Sequence, residues 1–195
     1  MKKLLLTFAF LATSLFAEGL FVGIDTGASI VSSKAEGLTD KVPYSIKSTG
    51  YSQTLTGKVG YTHPAGNSYA YLTAEKFYDV SKLDNGIAGS AGIGFHRFIV
   101  DSYFIGGFVG VGIKDFNSGK DRFIEYGLKA GKTVKLSNSS DLEIGIQCKL
   151  QQYTATIRTE FVNPSKPELG TVITDSRSID NVNLGVYIGI NFTGL

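Results

Sequence analysis

Two histidines, one cysteine and one glycine-rich run are the residues that invite a catalytic or ligand-binding reading of this chain. His63 stands in His63-Pro64-Ala65 and His96 in His96-Arg97-Phe98. Neither has the neighbouring hydroxyl that a histidine base would activate. Two histidines so far apart do not by themselves make a metal site. Cys148 is the single cysteine, which excludes an intramolecular disulfide and a cysteine-rich metal centre. The run Gly106-Gly107-Phe108-Val109-Gly110-Val111-Gly112 lacks both the spacing of a dinucleotide fingerprint and a following helix start. No nucleophile, base and orienting group come together, so no catalytic, cofactor-binding or metal-ligating residue is expected. What remains is ion pairing. Asp25, Lys58, Glu75, His96, Lys114, Glu125, Lys129, Glu143 and Lys149 are scattered through the chain, yet each falls on the same phase of an alternating segment.

Those segments carry the main signal, a period of two that marks a strand with two unlike faces. In 182–192, Val182, Leu184, Val186, Ile188, Ile190 and Phe192 face one way, opposite Asn183, Gly185, Tyr187, Gly189 and Asn191. In 142–153, Leu142, Ile144, Ile146, Cys148 and Leu150 oppose Glu143, Gly145, Gln147, Lys149 and Gln151. Val109 and Val111 lead the apolar side of 102–114. Segments near 20–30, 51–62, 68–78, 87–97 and 122–136 bring the number to eight. Eleven residues at about 3.3 Å each, tilted near 45°, rise about 25 Å, the height of the apolar band of an outer-membrane barrel. By these bounds the connections are 31–50, 63–67, 79–86, 98–101, 115–121, 137–141 and 154–181, and every odd one is longer than every even one. That order follows if both chain ends lie in the periplasm.

Composition agrees. The chain has 195 residues, 43% hydrophobic and 18% charged, against about 25% charged in an average soluble domain. No apolar run of about 20 residues lies beyond the N-terminus, so no ordinary spanning helix is available. Lys2 and Lys3, the apolar run from Leu4 to Leu15, and Phe16-Ala17 read as a secretory signal peptide over 1–17, with the barrel domain over 18–195. Two of the 19 basic residues leave with it, and 17 then balance 17 acidic ones. That balance gives no argument for a nucleic-acid partner.

An eight-stranded barrel has room inside for side chains alone. Aliphatics from every strand would overfill it, whereas glycine, serine, threonine and paired charges fit. The expected architecture is therefore an all-β, eight-stranded antiparallel up-and-down transmembrane barrel. Val109, Val111, Ile144, Ile146, Leu184, Val186, Ile188 and Ile190 should face lipid. Asp25, Lys58, Glu75, Lys114, Glu125, Lys129, Glu143 and Lys149 should form an interior polar network, with His96 beside Glu75. Phe21, Tyr61, Phe95, Phe98, Tyr103 and Phe192 would make one aromatic girdle, and Tyr51, Tyr78, Phe116, Phe123 and Tyr153 the other.

On these residues, and on the closing Val186-Tyr187-Ile188-Gly189-Ile190-Asn191-Phe192, the chain resembles the small eight-stranded outer-membrane barrels of Gram-negative bacteria, the OmpA/OmpX-like and opacity-protein-like class. In that class a terminal aromatic is read by the barrel-assembly machinery; here Thr193-Gly194-Leu195 follow Phe192. Barrel enzymes of the lipid A deacylase type carry a His-x-Ser pair, which neither histidine here matches. The resemblance implies a monomer of the cell outer membrane in contact with its lipids and lipopolysaccharide. The last connection alternates again over 154–161 and 171–178 around Asn163-Pro164-Ser165-Lys166-Pro167, which predicts a projecting hairpin. Its free strand could take an extracellular protein partner by strand addition. The first connection, 31–50, reads as a solvated loop touching lipopolysaccharide. The function expected is structural or surface-interacting, with no enzymatic chemistry; a narrow channel is the alternative, and a lipid-modifying enzyme comes behind it.

Overall fold

Alternation of small or polar with aliphatic residues folds into long strands, and the strands pair in chain order until the last meets the first. The computed structural model describes residues 19–39, 42–78, 86–100, 102–116, 119–153, 156–161 and 172–193. The signal segment 1–17, the turn at 163–167 and the final Gly194-Leu195 lie outside the described residues. The strands are β1 (Gly19–Thr39), β2 (Val42–His63), β3 (Gly66–Tyr78), β4 (Ile87–Val100), β5 (Tyr103–Phe116), β6 (Gly119–Ser137), β7 (Ser140–Tyr153), β8 (Thr156–Phe161) and β9 (Val172–Thr193). All neighbouring pairs are antiparallel, in the order β1 to β7, then β9. β1 also pairs with β9, from Phe21 opposite Thr193 to Thr39 opposite Asp175, and this closes an eight-stranded ring. β8 lies outside the ring, paired to the far part of β9.

The connections differ from the expectation. The predicted loop 31–50 is strand: Val31 to Thr39 pair with Val42 to Gly50 without a break in register. The bounds of 98–101, 115–121 and 137–141 shrink to 101–102, 117–118 and 138–139. Length asymmetry therefore appears as strand overhang rather than as loop. β1, β2 and β9 run on past the ring at the end opposite the termini, and β8 joins them there, giving a four-stranded extension in the order β2-β1-β9-β8. The expected hairpin from 154–181 is the β8–β9 part of it. The first hairpin went unseen because neither of its faces is continuously apolar, so the hydrophobic period vanishes while the backbone continues.

Face assignment follows the parity of the strands. Along β1, residues from Phe21 to Ala35 are buried at odd positions and exposed at even ones, apart from the half-buried Gly27. The exposed face carries Val22, Ile24, Leu55, Val59, Leu72, Val109, Val111, Leu128, Ile144, Ile146, Leu184, Val186 and Ile188; Ile190 is half-buried. On β6, outward Arg122 and Lys132 bracket Ile124, Tyr126, Leu128 and Ala130. Ten residues at about 3.3 Å, tilted near 45°, put those two cations about 23 Å apart in height.

Glycines on the inner face make room for bulky neighbours. A Cβ on Gly94 would lie 2.5 Å from Tyr69 Cζ, whereas one on outward Gly89 would meet nothing within 4 Å. Gly94→Val should therefore cost about 1–3 kcal/mol through overpacking, and Gly89→Val should be neutral. Folded yield, read as the change in gel mobility between boiled and unboiled samples in detergent, checks both.

Candidate functional site: the barrel interior

Every buried charge in the ring sits on the inward phase of its strand. Among the described residues these are Asp25, Glu75, Glu125 and Glu143 against Lys58, Lys114, Lys129 and Lys149. Four carboxylates face four ammonium groups, so the interior is formally neutral. Burying an unpaired charge costs several kcal/mol, and good geometry with added hydrogen bonds must offset that cost.

The structure brings these residues together in two groups. Nearer the termini, Lys58 Nζ lies 2.8 Å from Asp25 Oδ1 and 3.1 Å from Glu143 Oε2. Lys129 Nζ donates to Asp25 Oδ2 at 3.4 Å and stands 4.3 Å from the Tyr187 ring centre. Asn191 Nδ2 donates to Glu143 Oε2 at 3.0 Å. These residues come from β1, β2, β6, β7 and β9, so the group ties across the ring rather than along one hairpin.

The second group lies further out and centres on Glu75. Its Oε1 accepts from Ser52 Oγ at 2.8 Å and from Asn183 Nδ2 at 3.0 Å. Its Oε2 accepts from Lys149 Nζ at 2.6 Å and Gln151 Nε2 at 2.8 Å. Tyr71 donates its hydroxyl to Glu125 Oε1 at 2.8 Å, and Lys149 Nζ lies 3.8 Å from Glu125 Oε2. Between the two groups a cavity of about 30 Å³ is bounded by Thr54, Thr56, Thr73, Tyr71 and Phe108 among others. That is room for about two waters.

Aromatic and apolar side chains close both ends. Toward the termini, Phe21 meets Tyr69 edge-on and His96 stacks on Phe104 at 4.4 Å. At the far end Val31, Ala35, Phe77, Ala88, Phe123, Tyr153 and Ile179 form a buried cluster. Lys114 lies beneath it, fully buried, its Nζ 3.5 Å from the Phe77 ring centre. A lysine so placed gains cation–π attraction where water is absent.

Two expectations about the interior need correction. His96 does not pair with Glu75. Its Nε2 is 3.0 Å from the Tyr69 hydroxyl and its Nδ1 3.7 Å from Glu143 Oε1, because Glu75 belongs to the outer group and has both oxygens occupied. Phe21, Phe123 and Tyr153 are not girdle residues; they share the inward phase with Asp25, Glu125 and Gln151 and are buried. Ser52, Asn183 and Asn191 belong to the interior network, marked in the sequence only by their strand phase, and Asn181, expected in the connection 154–181, is a buried strand residue that donates to Tyr153. Tyr51, Phe95, Tyr103 and Phe192 are exposed on the outer face; the side chain of Phe116 lies outside the described residues.

With this geometry in hand, comparison with known proteins is informative at the level of fold. No family model and no curated protein matches the sequence. Among solved structures, the chain is similar to Neisserial surface protein A (NspA), with a TM-score of 0.52 and 15% identity, covering 90% of this chain and 97% of that one. The chain has the fold of a small eight-stranded outer-membrane β-barrel. It also aligns with the outer membrane protease OmpT of Escherichia coli (TM-score 0.43, 8% identity, 91% and 97% covered) and with OprG of Pseudomonas aeruginosa (0.40, 10%, 91% and 97%). The NspA likeness is one of fold; the lower scores of the other two carry nothing further.

The inner group gives a direct test. Lys58→Met leaves Asp25 and Glu143 buried without their shared cation, and should cost about 3–5 kcal/mol. Asp25 keeps Lys129, so adding Glu143→Gln removes the carboxylate left without a lysine and should restore part of that loss. Lys34, whose 2.7 Å pair with Glu36 is exposed, should tolerate Met with no change in midpoint. Denaturant unfolding in detergent micelles, followed by circular dichroism, reads all three.

Proposed function

We propose that this protein is exported, loses residues 1–17, and resides in the outer membrane as a monomeric barrel with a structural or surface-interaction role. The observation that carries the reading is the distribution of side chains across the wall. Charges face inward in pairs, while the outside is a belt of exposed aliphatics that includes Leu72, Val111, Leu128 and Leu184. Water would not tolerate so continuous an apolar surface on a monomer; lipid requires it. Ring closure meets the other demand of a bilayer, that every backbone group in the hydrocarbon be satisfied within the protein.

In this reading the aliphatic belt, Ile190 included, contacts acyl chains, and the interior network is a plug. The barrel does no chemistry in this reading: among the described residues each buried carboxylate is held by a lysine within 4 Å. It is a scaffold that holds the β2-β1-β9-β8 extension clear of the membrane. The free edge of that extension offers backbone groups to an extended segment of a partner. The barrel-assembly machinery would insert the chain, with Phe192 as its terminal aromatic. A conducting role fits less well, because Tyr69, Tyr71, Phe104 and Phe108, together with the two charge groups, fill the lumen.

Leu128 is 70% exposed midway between Arg122 and Lys132. Leu128→Arg should destabilise the barrel in lipid by about 2–4 kcal/mol, whereas on a water-facing wall the same change would be neutral or favourable. Equilibrium unfolding from vesicles decides between the two. N-terminal sequencing of the membrane-extracted protein should begin at Glu18. Planar-bilayer recordings should lack steady conductance steps, and their appearance would favour the channel.

A further inference from the structure

β9 is the one strand of the ring whose register no tight turn dictates. It follows β7 only after β8, and its other neighbour, β1, lies at the opposite end of the chain. In a hairpin the turn fixes the register; here side chains must. Ion pairs cannot do it, since the inward residues of β9 within the ring, Asn181, Asn183, Gly185, Tyr187, Gly189 and Asn191, carry no charge. Instead this face alternates glycine with larger residues, and both neighbours alternate in the opposite sense. Tyr187 stands between Gly27 of β1 and Gly145 of β7. Gly189 stands between Asp25 and Glu143, Gly185 between Ser29 and Gln147, and Asn191 faces Gly23. A Cβ on Gly145 would lie 2.8 Å from Tyr187 Cε1, and one on Gly27 3.1 Å from Tyr187 Cβ. Cβ atoms on Gly189, Gly185 and Gly23 would run into Asp25, Ser29 and Asn191. The β5–β6 pair interdigitates in the same way from Phe104 opposite Gly131 to Gly110 opposite Glu125, but residues 117–118 already join it as a hairpin.

We propose that β9 is a keyed closing strand: Gly185, Tyr187 and Gly189, set against Gly27 and Gly145, select a single register when the ring shuts. Shifting β9 by two residues breaks every match at once. Against β1 it would set Asp25 opposite Tyr187 or Asn191, and Gly27 opposite Gly185 or Gly189. Against β7 it would set Glu143 opposite the same two large residues, and Gly145 opposite the same two glycines. Paired large residues overfill a narrow lumen, and paired glycines leave voids; both are destabilising. The key acts on β1 and β7 together, so one strand reads both of its neighbours. Asn183 and Asn191 also reach Glu75 and Glu143, and both contacts are kept in the test below. The device belongs to the chain itself and holds whatever surrounds the outer wall.

The test reads register by disulfide formation in the refolded full-length barrel on a Cys148→Ser background. Ile24 and Ile190 are register partners on the outer face, as are Thr26 and Ile188. I24C/I190C therefore reports the native register, while I24C/I188C and T26C/I190C report a slip of two in either direction. In the native register those last two pairs are diagonal, about 7–8 Å apart and beyond disulfide reach. With the key intact, the native pair should oxidise in preference to either slipped pair by about tenfold or more. G27S/Y187S fills the hole and removes the knob, and there the preference should largely vanish. Should that variant not fold, Tyr187→Ala removes the knob alone and carries the same expectation. Mobility of the boiled, unreduced chain reads the bridge, and the unboiled shift shows which variants are folded. A folded variant that keeps the wild-type preference would overturn the key and leave the register to the amides. So would a ring with its key intact that oxidises a slipped pair as readily as the native one.

Discussion

β1 hydrogen-bonds to β2 on one side and to β9 on the other, and nothing else about this molecule is possible without that closure. A sheet of this length left open would present two rows of unpaired amides and carbonyls. In water such edges recruit other strands; in hydrocarbon each unpaired group costs several kcal/mol. Within the ring, closure removes both liabilities and then imposes a third. The inner face is shut away from water in a tube too narrow for solvent to fill, so whatever points inward must find partners there.

That condition explains the layered interior. A lumen filled with aliphatics would need the large residues on both faces, and the strands instead place glycines where the plug is widest. Gly94 clears the Tyr69 ring, Gly145 clears Tyr187, and Gly110 clears the Tyr71 hydroxyl. The rings bring a hydroxyl within reach of a carboxylate or imidazole: Tyr71 of β3 reaches Glu125 of β6, and Tyr69 reaches His96 of the adjacent β4. Small residues on one strand and long polar ones on the next are therefore a single packing solution.

The ring itself was legible in the sequence because lipid and lumen impose opposite demands on alternate residues. Wherever both demands act, as in 142–153 or 182–192, the period of two is almost unbroken. Where they stop, legibility stops. In the β1–β2 overhang the exposed face carries Lys34 and Glu36 in place of aliphatics, so the period fades and the stretch reads as a loop although Ser33 and Ala35 remain buried. Strand phase also identified which charges share the interior, since phase is a local property. It could not identify partners. Lys58 lies 85 positions from Glu143 and Lys149 lies 74 from Glu75, and those distances across the tube depend on tilt and stagger that no single strand encodes. His96 shows the limit well: its face was readable, yet the choice between Glu75 and Glu143 is a matter of height along the axis.

Stagger is also where the charges earn a role beyond filling space. Hydrogen bonds between strands are nearly indifferent to register, and a slip of two residues would keep every aliphatic on the outside. Apolar contact with fluid lipid would not oppose it either, because one exposed isoleucine resembles another. The interior pairs do oppose it. Moving β2 by two residues along β1 would carry Lys58 about 7 Å, out of reach of both Asp25 on β1 and Glu143 on β7. A slip by one residue is worse, since it would turn Lys58 out onto the aliphatic outer face. Because Glu75 and Lys149 make the same demand on β3 against β7, and Lys129 makes it on β6 against β1, each bridge checks a stagger accumulated over several strands. Buried ion pairs contribute little net stability in general. Here their contribution lies in the energy difference between one closed register and its neighbours, which a lipid-facing surface cannot supply.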